Sequence, residues 1–483
     1  MSIEPGPQPD DLTLRPASQV MRLERMGSFH QSRWSFMRVL LRRMKQASWT
    51  FDRPIWRIND NGVGVATYSA TGPDRTYTLI VFAHDLPDEL RSDRVIAEAW
   101  DATFTLFDGV PTERDIERLS QNVPLQEAGR ISDNELSLSR ANRSVRLFQY
   151  VKDCLAKGEQ PDADVIEPVG YLMRTTAVYG SGKFGAADRK KWADRPEFLG
   201  SFQPELLSVW LIRSFTLDLV EHMAKVAAPD GAVPLEPDLR RRFGVGNSTG
   251  LGMAPFLMTH PSLVHAWINA RETALARVLD VEQADRTAIN QFKNLVKRAG
   301  INAKNWQSAH PLQVVKIDHL RADMEKLASY VEEFDFGKTR PWGSLYRWVE
   351  ENLSVEGQEQ TVSLMLEPYG PLVDELADTM CADESDRFRI DGTLSIGAIK
   401  AQMEECYGWA GNIDFSQPEA VARVWYVSEE KLEPRLGERF EEPIEPYEQP
   451  LSPGRDARRM MDDLEDWDDG DTLASFLMRH PEH

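Results

Sequence analysis

The stretch Gln203–Ala227, QPELLSVWLIRSFTLDLVEHMAKVA, decides how the rest of the chain must be arranged. Leu206, Leu207, Val209, Trp210, Leu211, Ile212, Phe215, Leu217, Leu219 and Val220 leave a helix with almost no circumference for water, so it must be buried. Arg213 and Asp218 interrupt the apolar run, which argues for a core helix and against a membrane span. Its polar groups gather late: Asp218, Glu221 and Lys225 share one stripe, with His222 beside it, because residues three and four apart lie on one face.

Two glycine-bearing segments flank this helix. The first, Tyr179-Gly180-Ser181-Gly182-Lys183-Phe184-Gly185, follows a pattern read as helical over residues 164–178, with Gly180 placed to end that helix in the left-handed conformation. The second runs from Arg240 through Arg241, Arg242, Phe243, Gly244, Val245, Gly246, Asn247, Ser248 and Thr249 to Gly250 and Gly252. Glycine-rich backbone lets N–H groups converge, and a following helix N-terminus adds partial positive charge, so such segments can hold a phosphate or carboxylate. On this reading Arg174, Lys183 and Arg242 clamp the anion while Asn247, Ser248 and Thr249 orient it. Tyr179, Lys183, His260 and His265 are the candidates for proton transfer, histidine because its ordinary pKa lies near neutrality. A desolvated Lys183 would also serve as a Schiff-base nucleophile.

Neither segment fits the nucleotide-binding pattern G-x-x-x-x-G-K-[ST], and the second is one residue too long for G-x-G-x-x-G, with no hydrophobic strand read before it. The plainer alternative is that the glycines only turn the chain between packed helices. His260 and His265, five apart, do not share a helical face, which argues against a paired metal site. No motif names a cofactor.

The 483 residues carry 56 basic and 77 acidic side chains, a net charge of −21, which disfavours nucleic acid as the main partner. Cys154, Cys381 and Cys406 are widely spaced and form no CxxC pair, so neither a disulfide framework nor a cysteine zinc site is expected and a reducing cytoplasm fits best. The N-terminus lacks an apolar signal core, and no stretch reaches about 18 uninterrupted apolar residues.

In chain order, residues 1–16 read as disordered, and residues 17–110 as a basic helix followed by a β-meander. Residues 111–432 read as a helical body holding the candidate site within 174–265, and residues 433–483 as a tail rich in proline and acids. The basic helix carries Arg22, Arg25, Arg33, Arg38, Arg42, Arg43 and Lys45 against the single acid Glu24. An acidic segment at 462–471 is a partner for it, within the chain or on another subunit. The apolar patch Leu473, Phe476, Leu477 and Met478 makes a homo-oligomer plausible. Three β-runs, residues 49–58, 64–70 and 75–84, are separated by Asn59-Asp60-Asn61-Gly62 and Thr71-Gly72-Pro73-Asp74 as turns. Glu98 and Asp101 then share a face if residues 94–107 are helical, and residues 134–156 are read as the next helix.

The expected fold is therefore mainly α, a large multi-helix array with a small three-stranded antiparallel meander near the N-terminus. The expected function is a cytoplasmic enzyme, a lyase or isomerase, acting on a small anionic metabolite by acid–base chemistry. The alternative is a non-catalytic helical scaffold or regulatory protein assembling through its basic N-terminal helix and acidic tail.

Overall fold

The computed structural model describes residues 14–15, 17–20, 25, 33–34, 36–91, 99–125, 132–166, 169–178, 195–198, 203–240, 242–247, 261–305 and 311–380. The proline- and acid-rich tail with its apolar patch lies outside these residues.

A basic helix, α1 (Phe36–Gln46), leads into a meander of β1 (Thr50–Ile58), β2 (Gly64–Thr71) and β3 (Thr76–Ala83). The expected turn residues do their work. Asn59 accepts through its side chain from the N–H groups of Asn61 and Val63, both at 3.0 Å, and Gly62 takes a φ of 76° that a side chain would strain.

The sheet does not stop there. β4 (Ala102–Asp108), β5 (Glu135–Arg143), β6 (Tyr171–Val178) and β7 (Gly244–Asn247) continue it in sequence order to seven strands. β1 to β6 are antiparallel, and β7 joins β6 in parallel. Between the strands stand α2 (Glu113–Asn122), α3 (Phe148–Ala156) and the long α4 (Gln203–Ala227). The expected small meander inside a helical array is thus corrected to a curled mixed sheet whose strands run from Thr50 to Asn247.

The correction has a physical reason. β4 reads ATFTLFD and β5 ELSLSRANR, each alternating as a strand should. The first was absorbed into a helical reading begun upstream, and the second merged with the true helix α3 that follows it. β6, YLMRTTAV, has no alternation because its Leu172 and Met173 are both fully buried, and helix-forming residues are drawn into strands when both faces are covered. With β6 a strand, Gly180 follows no helix, and the glycines of 244–247 build a strand where a loop was expected.

The concave face carries Ala66, Tyr68, Tyr77, Leu79, Val81, Phe104 and Leu106, which pack in one core with α4. Phe215 of α4 meets the rings of Phe104, Trp56 and Tyr68 at 5.8, 6.2 and 6.4 Å. Arg213, which interrupted the apolar run, is buried and donates to the carbonyls of Phe243 and Arg240 at 2.7 and 2.6 Å. On the convex face Ile80, Phe82, Phe107 and Leu138 form a second core with Ile116 and Leu119 of α2.

The remaining body is helical: α5 (Pro261–Leu279), α6 (Arg286–Asn305), α7 (Pro311–Glu333), α8 (Pro341–Asn352) and α9 (Val355–Leu366). α9 is enclosed on every side although it carries Glu356, Gln358, Glu359, Gln360, Thr361 and Ser363. Buried charge needs partners, and the basic N-terminal segment supplies them. Arg15 binds Glu272 at 2.5 Å and Glu359 at 2.7 Å, while Arg25 and Arg271 reach Glu359 at 2.6 and 2.7 Å. Arg33 and Arg38 likewise bind Glu367, and Arg33 also binds Asp374 at 2.8 Å. Among the described residues no helix is long and apolar enough to cross a membrane.

Candidate anion site at the parallel edge of the sheet

β6 and β7 form a β–helix–β unit with α4 as the crossover. Their register sets Tyr171 opposite Gly244, Arg174 opposite Gly246 and Thr175 opposite Asn247. Both strands point to one end of the sheet, about 4.8 Å apart, with β7 ending opposite Thr175, three residues short of the end of β6. The first glycine-bearing segment follows β6 there, and the second contains β7 and continues beyond it. The residues just before α4 come back to the same end. Arg195 donates to the Tyr77 hydroxyl at 3.0 Å, at the amino end of β3, and to Asp108 at 2.6 Å, at the carboxyl end of β4. Tyr77 donates in turn to Glu197. Burial and this carboxylate raise the Tyr77 pKa, keeping the phenol protonated. The crevice outside the carboxyl ends of parallel strands is where open α/β sheets bind ligands, and here the positive end of the α4 dipole lies beside it.

Of the residues singled out in the sequence, Arg174 and Asn247 are brought to neighbouring strands. Arg242 stands before the amino end of β7, separated from Asn247 by roughly 16 Å of extended chain. His265 lies in α5. Tyr179, Lys183, Ser248, Thr249 and His260 fall outside the described residues, as does Glu98. Asp101, expected to pair with Glu98 on a helix, instead precedes β4 and is buried. It accepts from Arg91 at 3.0 Å and from the backbone N–H of Arg143 at 2.8 Å.

The convex face of the same strands holds polar residues that the sequence reading passed over. One row across the sheet runs Phe82, Thr103, Arg140, Thr176, and the next runs Asn142, Arg174, Gly246. Paired residues in a ladder lie on the same face, so Arg140 and Arg174 are diagonal neighbours. His84 stands at the end of β3 with its Nε2 3.2 Å from the Thr103 hydroxyl. Burial lowers its pKa, with Asp101 opposing only in part, so the imidazole is neutral at pH 7 and able to accept a proton. The Arg140 guanidinium lies over the Trp100 ring at 4.1 Å. The signal for this face was the threonine–phenylalanine alternation of residues 102–108, legible only once that segment is taken as a strand.

Among the described residues no group of three or more histidine, cysteine or carboxylate side chains is placed to hold a metal ion. Compared with protein families, curated proteins and solved structures, the chain has no match.

Proposed function

We propose that the chain is an enzyme that binds a small carboxylate- or phosphate-bearing metabolite at the carboxyl ends of β6 and β7 and acts on it by acid–base chemistry, as a lyase or isomerase. The observation that carries this reading is the parallel pairing of β6 with β7, which sets the strand leading into the first glycine-bearing segment beside the strand that belongs to the second. Arg174 supplies positive charge on that strand pair, and Lys183 belongs to the segment leaving β6. His84, at the carboxyl end of β3, stands at the opposite end of that strand from Tyr77 and Arg195, so the proton transfer is assigned to the segment that carries Lys183 and not to His84. A net charge of −21 supports a small-molecule substrate over nucleic acid and suits a cytoplasmic setting. Against the scaffold alternative stands the use made of the N-terminal arginines: Arg15, Arg25, Arg33 and Arg38 are already paired with acids of the same chain.

The test has two parts. Thermal unfolding against a panel of small carboxylates and phosphates should show a ligand that raises the wild-type Tm and fails to do so for Lys183→Ala, since a ligand at 100-fold its Kd adds about 2.7 kcal/mol to stability. That ligand, incubated with the enzyme in D2O, should then take up deuterium at the carbon next to its carboxylate or carbonyl. A panel without a single stabilising anion would overturn the reading.

A further inference from the structure

Arginines on and around the sheet have visible partners: Arg91 pairs with Asp101, Arg118 with Glu135, Arg195 with Asp108 and Arg240 with Glu221. Arg140 differs. Among the described residues it makes no ion pair, and its buried Nε has no hydrogen-bond acceptor. Arg140 is half-buried, and the part of its guanidinium taken out of water has no counter-charge to offset the loss. A site that retains such a group is poised for an anion that arrives from outside.

Two further observations give the anion a place. The Thr105 hydroxyl is fully buried and has no hydrogen-bond partner. In register, Thr103 lies opposite Arg140, and Thr105 lies opposite Leu138, one step along the same face, so Thr105 and Arg140 are diagonal neighbours, with Thr105 at the margin of the core that α2 covers. Trp100 covers one flat face of the guanidinium at 4.1 Å. That leaves the donors in its plane as the means of binding, the geometry that matches two oxygens of a carboxylate or phosphate. Trp100 is itself fixed through its neighbour Asp101, whose carboxylate is tied to Arg91 and to the backbone of β5. Arg143, three residues along β5, serves as a comparison: its Nε likewise lacks a hydrogen-bond partner, but Asp101 stands 3.6 Å from it as a counter-charge.

We propose that Arg140, with the hydroxyls of Thr103 and Thr105, forms an oxyanion-holding subsite on the convex face of the sheet, and that its ligand is the phosphate or carboxylate group of a small metabolite. The subsite rests on the reading of this protein as an enzyme for a small anion and places a second set of anion-holding residues on the interior strands β4 and β5. Arg174, diagonal to Arg140 across β5 and β6, adds a second positive charge to the same face. Burial lowers the Arg140 pKa, as expected of a cation awaiting its counter-ion.

Inorganic phosphate and acetate are the probes, with thermal unfolding and calorimetric titration of the full chain as readouts. Phosphate should raise the wild-type Tm, and the shift should vanish in Arg140→Met. Thr105→Val, which removes only the hydroxyl, should weaken phosphate binding about tenfold, the value of one hydrogen bond to a charged group. In anion-free buffer Arg140→Met should melt no lower than wild type, because it removes a half-buried charge that has no ion-pair partner among the described residues. Larger shifts with acetate than with phosphate would assign a carboxylate ligand. If phosphate and acetate still bind Arg140→Met but not Lys183→Ala, the anion site stands and the Arg140 subsite falls. If neither probe shifts the wild type, the subsite falls with it.

Discussion

At Glu359 three guanidinium groups meet one carboxylate: Arg15, Arg25 and Arg271, all within 2.7 Å of an oxygen. Burial alone would raise the pKa of this carboxyl, but the arginines outweigh it and hold the pKa far below the usual carboxylate range. Glu359→Gln leaves that positive charge buried without its counterpart and should cost about 3–5 kcal/mol in urea unfolding. Glu113→Gln breaks the ion pair with Arg57 in the open and should leave the unfolding midpoint almost unchanged, since water screens it. His84 gives a pH dependence of known sign. Its folded pKa lies below the ordinary value of 6.5, so the unfolded chain takes up a proton first. The contribution of His84 to stability is complete above about pH 6.5 and is lost as pH falls towards the folded pKa. His84→Asn should flatten that part of a stability–pH curve. At this scale the sequence pointed to Arg174 because it precedes a glycine-rich run. His84 and Arg140 stayed hidden because what distinguishes them is their neighbours across the sheet, and those lie 19 to 40 positions away in the chain.

Among the elements, α4 was legible to the residue because its apolar run from Leu206 to Val220 leaves almost no water-facing side and its polar stripe begins only at Asp218. Its burial is its stability. Phe215→Ala removes the ring shared by Phe104, Trp56 and Tyr68 and should cost about 3–5 kcal/mol in denaturant unfolding. The meander was legible too, because Asn59 to Gly62 and Thr71 to Asp74 mark its turns chemically. β4, β5 and β6 lack such punctuation: their connections contain helices, and a strand hemmed by helices inherits their apparent period. β7 was invisible for a different reason. At four residues, two of them glycine, it owes its extended form to the β6 edge and not to its own propensity.

Across the whole molecule, the sheet is graded in its protection. β3 and β4 lie between other strands, with α4 on one face and the α2 core on the other. β7 is an edge joined by a short register. Amide hydrogen exchange should therefore be slowest in β3 and β4 and markedly faster in β7, whose local opening does not require the core to unfold. An anion bound at the parallel edge should slow exchange in β6 and β7 first. The same experiment reports on the N-terminal segment. Its arginines are held by buried acids more than by apolar area, so Arg15→Ala should speed exchange in α9 while leaving the sheet unchanged.

The order of synthesis has a cost that the finished fold conceals. The concave wall that α4 fills is completed strand by strand long before α4 exists as polypeptide. From Asp108, the end of β4, to Ala227, the end of α4, a ribosome working at roughly 5–20 residues per second needs about 6–24 s. For that interval Leu79, Val81, Phe104 and Leu106 form a greasy trough without its occupant, and β6 is an open edge awaiting a strand still to be translated. A nascent chain halted before Gln203 should be captured by trigger-type holdases and aggregate when released, whereas one extended past Asn247 should escape both fates.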